Sequence, residues 1–262
     1  MPTLHTNGIN LKYDEQGQGE PLLFLHGLGS QGEDWGFQVP FFAPHYRVVT
    51  VDLRGHGESD KPAGPYSVSM MAGDVVGLLD ALKIESAHIV GLSMGGMIAF
   101  QLVVDKPERV RSMVIVNSGP ALVARNFGEW LRIQQRLLLA RLFGPSRTGA
   151  FLSKRLFPKP EQEAIREQFV ERWALNEPDA YLAALRAIVG WSVMERIGEI
   201  RCPVLVISGD RDYTPLDVKE AYTARIPGAQ FLVVEDSGHA TPVDQPDVFN
   251  KSVLKFLETG AS

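Results

Sequence analysis

A serine between two glycines, Gly91-x-Ser93-x-Gly95, is the feature of this sequence best suited to chemistry. The apolar run 87–92 predicts a buried strand that ends directly before the serine, and a helical pattern of small residues follows. A residue between strand and helix adopts a strained backbone, and flanking glycines remove Cβ atoms that would collide there. The pattern also fits an ordinary glycine-rich helix start. As a nucleophile, Ser93 would lie beside the Met94 N–H, which could donate to a bound oxygen.

A serine nucleophile needs a general base and an acid that orients the base. His239 follows a predicted strand and is the base that we expect to accept the serine proton. Asp210 and Asp212 both follow another predicted strand, and Asp210 lies nearer the strand end, where a turn could hold it. We therefore favour Asp212 as the acid. The carboxyl ends of parallel strands share one edge of a sheet, which would bring Ser93, Asp212 and His239 together.

The segment His26-Gly27-Leu28-Gly29 follows an early apolar strand and could turn a backbone N–H towards the same edge. We assign the Leu28 N–H as the second donor to a negatively charged substrate oxygen, although an ordinary glycine-rich turn has the same pattern. His26 and His56 lie in tight loops. We expect both to be structural, because a catalytic base must be reachable from Ser93.

Alternating strands and helices along most of the chain predict a parallel sheet with helices on both faces. Residues 120–196 break this alternation, because they show only helical patterns punctuated by prolines. They hold 12 Lys+Arg against 8 Asp+Glu, a net charge of +4. We predict that 120–196 is an inserted helical cap, and that 1–119 and 197–262 form the α/β core.

Several cap side chains could contact a substrate or could pack the cap onto the core. We select Phe127, Trp130 and Trp191 as substrate-pocket candidates from a wider apolar set that also contains Leu131, Phe151 and Trp173. Four arginines could favour a substrate with a carboxylate, or could form a solvated helix face: Arg125, Arg132, Arg136 and Arg141.

Composition limits the partners of the chain. Its 262 residues carry a formal net charge of -5, which argues against nucleic acid. No apolar stretch approaches the roughly 20 residues that span a bilayer, and no secretory signal pattern is visible. Cys202 is the single cysteine, which fits a reducing compartment, so we expect a cytoplasmic protein. No ligand-like histidine spacing or phosphate-binding loop is present, so we expect neither metal nor cofactor.

These motifs together resemble the α/β-hydrolase superfamily over nearly the whole chain, and most closely β-ketoadipate enol-lactonases and related carboxylesterases. The segments that carry the similarity are 26–29, 52–59, 91–96, 209–212 and 238–239. The resemblance implies a mostly parallel eight-stranded sheet flanked by helices, with an inserted cap. It also implies an acid at Asp212 and a base at His239, in the chain order Ser, Asp, His. The cap varies most within this superfamily, so substrate is predicted less well than mechanism.

We therefore expect a serine hydrolase that cleaves a small carboxylic ester or lactone through an acyl-enzyme, as a monomer or homodimer. Similar hydrolases of carbon–carbon bonds in ring-cleavage products share the three residues, and cofactor-free perhydrolases share the Ser-Met-Gly-Gly segment. Relatives that open epoxides or carbon–halogen bonds carry aspartate at the position of Ser93, which disfavours those reactions. A non-catalytic small-molecule receptor with this fold is a further alternative.

Overall fold

The chain folds around one eight-stranded sheet, which the computed structural model describes within residues 2–157 and 159–260. In space the strands follow the order β1-β2-β4-β3-β5-β6-β7-β8. Strand β2 is antiparallel to β1 and β4, and the other pairs are parallel, so the predicted mostly parallel sheet is confirmed. The strands are β1 (Thr3–Thr6), β2 (Ile9–Gln16), β3 (Pro21–Leu25), β4 (Arg47–Val51), β5 (Ala87–Leu92), β6 (Val110–Val116), β7 (Val204–Gly209) and β8 (Gln230–Val234).

Helices cover both faces of this sheet. They are α1 (Val39–Phe42), α2 (Val68–Ala81), α3 (Met94–Asp105), α4 (Phe127–Leu156), α5 (Glu163–Ala174), α6 (Pro178–Ile188), α7 (Leu216–Thr223), α8 (Thr241–Asp244) and α9 (Pro246–Gly260). Helix α4 is broken at Gly144, whose φ of 67° is non-helical, and Pro145 follows directly. None of the helices in the described part of the chain has the length and apolar character needed to cross a membrane.

The central strands are apolar on both faces and pack into two separate layers. In β5, Ile89 joins the layer formed with α2 and α3, whereas the next residue, Val90, joins the layer that contains Phe249 of α9. In β6, Met113 and Val114 divide in the same way. This alternation explains why these strands appear as continuous apolar runs in the sequence.

Helices α4, α5 and α6, which we call the helical insertion, lie between β6 and β7 in the sequence. Two polar contacts join the segment that follows α6 to α3. The Trp191 indole N–H donates to Gln101 at 2.7 Å, and Arg196 pairs with Asp105 at 2.8 Å. A third contact reaches the segment after β3, where the Asn176 side chain donates to the Gly29 carbonyl at 2.8 Å. The insertion is therefore held close to the carboxyl end of β3.

Replacing Gly95 by alanine should destabilise the protein by about 1–3 kcal/mol through overpacking, because its Cβ would lie 2.1 Å from the Leu25 carbonyl oxygen. Gly73 in α2 is the matched control, since the nearest atom to an added Cβ is a side-chain nitrogen of Asn7 at 3.4 Å. Gly73→Ala should raise the free energy of unfolding by about 0.5–1 kcal/mol, because alanine is the better helix former. Urea unfolding measures the free energy of unfolding of both variants. Changes of the same sign in the two variants would contradict the prediction.

Candidate active site

Ser93 occupies a strained turn between β5 and α3, with φ 53° and ψ -113°. Close packing explains the flanking glycines, since a Cβ on Gly91 would lie 2.5 Å from the Gly95 carbonyl oxygen. Two hydrogen bonds hold the strained residue. The Ser93 N–H donates to the Val116 carbonyl at 2.9 Å, and the Ser118 hydroxyl donates to the Ser93 carbonyl at 2.6 Å. Such strain costs about 1–3 kcal/mol and persists only where its surroundings impose it.

His239 and Asp212 form a hydrogen-bonded pair, with 2.7 Å between imidazole Nδ1 and carboxylate Oδ1. Asp212 is fully buried and also accepts from the Tyr213 N–H at 2.8 Å. Asp210 instead accepts from the Ser237 N–H at 2.9 Å, in the turn that links the ends of β7 and β8. The structure thus brings Asp212, and not Asp210, to the imidazole. An ionised Asp212 accepts from Nδ1–H, which leaves Nε2 as the basic nitrogen of neutral His239.

The sequence predicts a direct contact between Ser93 and His239. In the structure the Tyr213 side chain contacts His239 instead. Its hydroxyl lies 2.7 Å from His239 Nε2, and its ring stacks on the imidazole with centroids 4.2 Å apart. Burial raises the pKa of Tyr213 to about 12, although the positive charge of Arg136 opposes this. The residue as a whole is 53% exposed, because the ring lies at the rim of the site. The neutral phenol is therefore the group that contacts His239 Nε2 in this structure.

The loop after β3 lies directly beside Ser93. A Cβ on Gly27 would be 3.5 Å from the Ser93 Cβ, and the next residue, Leu28, is buried. Met94 begins α3, where the first N–H groups have no acceptor within the helix. The two amides assigned from the sequence thus flank the serine on neighbouring segments.

His26 and His56 have structural contacts within the core. His26 Nδ1 donates to the Gly27 carbonyl at 2.7 Å, and its Nε2 accepts from the Leu53 N–H at 3.0 Å. Burial lowers the pKa of His26, and burial followed by repulsion from His26 lowers the pKa of His56 to about 3. Both imidazoles are therefore neutral at physiological pH and fix the loops that follow β3 and β4.

Lys219 is a fully buried lysine that the motif analysis does not identify. Its ammonium pairs with Asp212 and donates to Ser208 Oγ at 2.7 Å and to Asn117 Oδ1 at 3.3 Å, so each of its three protons has an acceptor. Burial alone would favour a protonated Asp212, but His239 and Lys219 outweigh it and hold the pKa of Asp212 below its usual value. Asp212 is therefore ionised at neutral pH.

Asn117, directly after β6, joins the loop that follows β7 to the loop that carries His239. Its side-chain N–H₂ group donates to the carbonyls of Gly238 and His239 at 3.1 and 2.9 Å, and its Oδ1 accepts from the Gly209 N–H at 3.0 Å. The residue adopts φ 45°, an uncommon conformation that asparagine tolerates better than most residues. Neither Asn117 nor Lys219 belongs to a recognisable motif. Asn117 directly follows β6, which could have suggested it, whereas Lys219 lies within α7 and has no such signal.

The aromatic candidates from the cap have different environments. Phe127 and Trp130 stack on each other at the start of α4, and they are 74% and 48% exposed. Trp191 directs its indole N–H to Gln101, as described above. Their contact with substrate stays a prediction. Within residues 2–157 and 159–260, no cluster of three or more His, Cys, Asp or Glu side chains is arranged to hold a metal ion.

Lys219→Met should cost about 3–5 kcal/mol of unfolding free energy at neutral pH, because it leaves the Asp212 carboxylate buried beside a single ionisable partner. Adding Asp212→Asn should recover part of this loss by removing the uncompensated charge. Urea unfolding measures both effects, and Lys251→Met on the exposed face of α9 should change stability by no more than about 0.5 kcal/mol.

The pH dependence of that loss gives a second measurement. The pKa of Asp212 is lowered on folding. Its ionised form therefore stabilises the protein above the unfolded pKa of about 3.9, and this contribution is lost as the pH falls through the folded value. The stability difference between wild type and Lys219→Met should narrow in acid. A difference that is the same at neutral and acidic pH would contradict the pairing.

Comparison with known proteins identifies the family. Residues 20–246 match the model of the alpha/beta hydrolase fold. A relative from Azorhizobium caulinodans, provisionally named carbamate hydrolase RutD, is 31% identical over 98% of each chain. 3-Oxoadipate enol-lactonase 2 of Acinetobacter baylyi is 30% identical over 98% of this chain and 96% of its own. The crystal structure of the enol-lactonase from Burkholderia xenovorans LB400 superposes with a TM-score of 0.91 at 28% identity, covering 98% of this chain and 100% of that one. The protein thus belongs to the α/β-hydrolase fold family and is a hydrolase.

Proposed function

We propose that this protein hydrolyses a small carboxylic ester or lactone through an acyl-enzyme, with Ser93 as nucleophile, His239 as base and Asp212 as orienting acid. The observation that carries the proposal is the 2.7 Å pair of His239 and Asp212 at the same sheet edge as the strained Ser93. The lactonase names of two of the matched proteins favour acyl chemistry of this kind.

In the proposed reaction, Ser93 Oγ attacks the substrate carbonyl carbon while its proton passes to His239 Nε2. The carbonyl oxygen becomes an oxyanion, and the Leu28 and Met94 N–H groups donate to it. The tetrahedral intermediate collapses when the imidazolium returns the proton to the leaving alkoxide, which gives the acyl-enzyme. Water then attacks the ester of Ser93 by the same steps and releases the acid.

Tyr213 has to leave His239 Nε2 free for this reaction. Its hydroxyl is bonded to that nitrogen in this structure, and its ring lies at the exposed rim. We infer that entry of the substrate displaces the phenol, which then lies beside the leaving group. The cost of displacement is modest, because the phenol exchanges one hydrogen bond for another with water or substrate.

The remaining parts of the proposal concern the surroundings of the site. Residues 120–196 would act as the cap over it, and residues 1–119 and 197–262 as the core. The aromatic candidates Phe127, Trp130 and Trp191 would border the route of a small-molecule substrate. We propose that the enzyme works in the cytoplasm as a monomer or homodimer, which the lone Cys202 is compatible with.

Ser93→Ala should reduce hydrolysis of short p-nitrophenyl esters by several orders of magnitude, because the acyl-enzyme cannot form. A fluorophosphonate should label the wild type with one equivalent and leave the variant unlabelled. Ser69→Ala, an exposed serine on α2, is the matched control and should retain labelling and turnover. Equal ester turnover by wild type and Ser93→Ala would refute the proposal. Parallel assays with enol-lactones and with ring-cleavage products separate acyl from carbon–carbon bond hydrolysis.

A further inference from the structure

Lys219 of α7 is bonded to the Asp212 oxygen that His239 does not use. The ammonium pairs with Oδ2 of the carboxylate, whereas Oδ1 lies 2.7 Å from His239 Nδ1. The side chains of Lys219 and Asp212 are both inaccessible to solvent, and that of His239 is 11% exposed. A cation, a carboxylate and an imidazole therefore form one buried row, in which solvent screens each charge from the next only weakly.

The partners of Lys219 require its amine to be charged. Besides Asp212, they are Ser208 Oγ at 2.7 Å and Asn117 Oδ1 at 3.3 Å. The Ser208 hydroxyl donates its own proton to the Gly209 carbonyl at 3.0 Å, and an amide oxygen or an ionised carboxylate can only accept. A neutral amine would have a lone pair to which none of the three partners could donate. The site thus fits an ammonium, although burial lowers the pKa of Lys219 from its usual value.

Other titratable or charged side chains border this row from neighbouring elements: Tyr213 and Asp210 of the loop after β7, Tyr222 of α7, Asp244 of α8 and Arg136 of α4. The two phenols are neutral, because burial raises the pKa of both. The two aspartates bond to backbone N–H groups in the chain just before His239. Arg136 acts on the Tyr213 hydroxyl. Among the described residues, Lys219 is therefore the cation placed against the Asp212 carboxylate itself.

The charge of Lys219 affects how strongly Asp212 and His239 together hold a proton. Binding of one proton neutralises the net negative charge of this pair. A neighbouring cation favours the more negative form, so it favours release of the proton. This holds whether the proton resides on the imidazole or on the carboxylate, because the two groups titrate as one unit. Lys219 thus favours the form of the pair whose base can accept the Ser93 proton.

We propose that Lys219 is a positioning residue for the proposed reaction, which acts through Asp212 to weaken the hold of the Asp212–His239 pair on a proton and so extends activity to lower pH. Its hydrogen bond fixes the carboxylate, and its charge sets the pH range in which the base is free. This inference rests on the proposed function, since it concerns the same base.

The pH dependence of kcat/KM for p-nitrophenyl acetate tests the role of the charge. In Lys219→Gln the side chain can still donate to Asp212 but is neutral, so the midpoint of the acidic limb should rise by about one pH unit. Lys219→Arg keeps the charge and should return the midpoint to within about 0.3 of the wild-type value. Lys251→Met removes an exposed charge from α9 and should leave the midpoint unchanged.

A merely structural role of Lys219 would lower kcat/KM at every pH without moving this midpoint. An unchanged midpoint in folded Lys219→Gln would therefore overturn the proposal. If both Lys219 variants fail to fold, NMR of the wild type decides the matter, because its Lys219 side-chain nitrogen should give the signal of a protected ammonium at neutral pH. A neutral amine there would overturn the proposal without any variant.

An NMR titration of the His239 imidazole separates this inference from the proposed function. The resonance can be assigned by its absence from His239→Gln. If the wild type cleaves no ester, the proposed function fails, and a rise of about one pH unit in this titration in Lys219→Gln still supports the coupling. If esters are cleaved but the imidazole titrates identically with and without the lysine, the inference fails while the proposed function stands.

Discussion

The strained backbone at Ser93 is the constraint on which the rest of the site depends. A positive φ at a residue with a side chain is unfavourable, and here it is imposed from three directions. Strand β5 ends directly before the serine, α3 begins directly after it, and the Gly95 backbone lies against the end of β3. The chain can make this turn only because glycines stand where these backbones approach. The resulting position exposes the hydroxyl at the carboxyl edge of the sheet.

A buried polar network then fixes Asp212 and His239 at that edge. Asp212 lies between His239 and Lys219, and Asn117 connects their loops to the end of β6. The lysine compensates the buried carboxylate, so that the imidazole is oriented without the cost of an isolated internal charge. The cation also reduces the net negative charge that His239 experiences on the Asp212 side. Lys219 therefore holds the Asp212 carboxylate in place beside His239.

The helical insertion contributes chemistry of a different kind. Its aromatic pair, Phe127 and Trp130, is exposed, whereas Arg136 Nε, the Trp173 indole N–H and the Tyr181 hydroxyl are buried. Donors without partners are costly in an interior, whereas apolar lining is not. The Tyr213 phenol, outside the insertion, contacts His239 Nε2 at 2.7 Å.

The sequence alone determined the elements whose signals are local. The motif around Ser93, the continuous apolar runs of β5 and β6 and the loop around Leu28 are all patterns within a few residues, and so is the spacing that placed His239 and Asp212 after strands. Asp212 was favoured over Asp210 from position; in the structure Asp212 is the aspartate that bonds to His239, whereas Asp210 bonds to the Ser237 N–H.

Only the tertiary structure decided which distant side chains meet. Lys219 and Asn117 are 102 residues apart in the sequence, and Tyr213 intervenes between two residues expected to touch. The sequence does not distinguish Arg136 from the other arginines of its helix, because the pattern of an amphipathic helix does not show which arginine side chain becomes partly buried. Such contacts depend on how helices and strands pack, and that packing has no local signature in the chain.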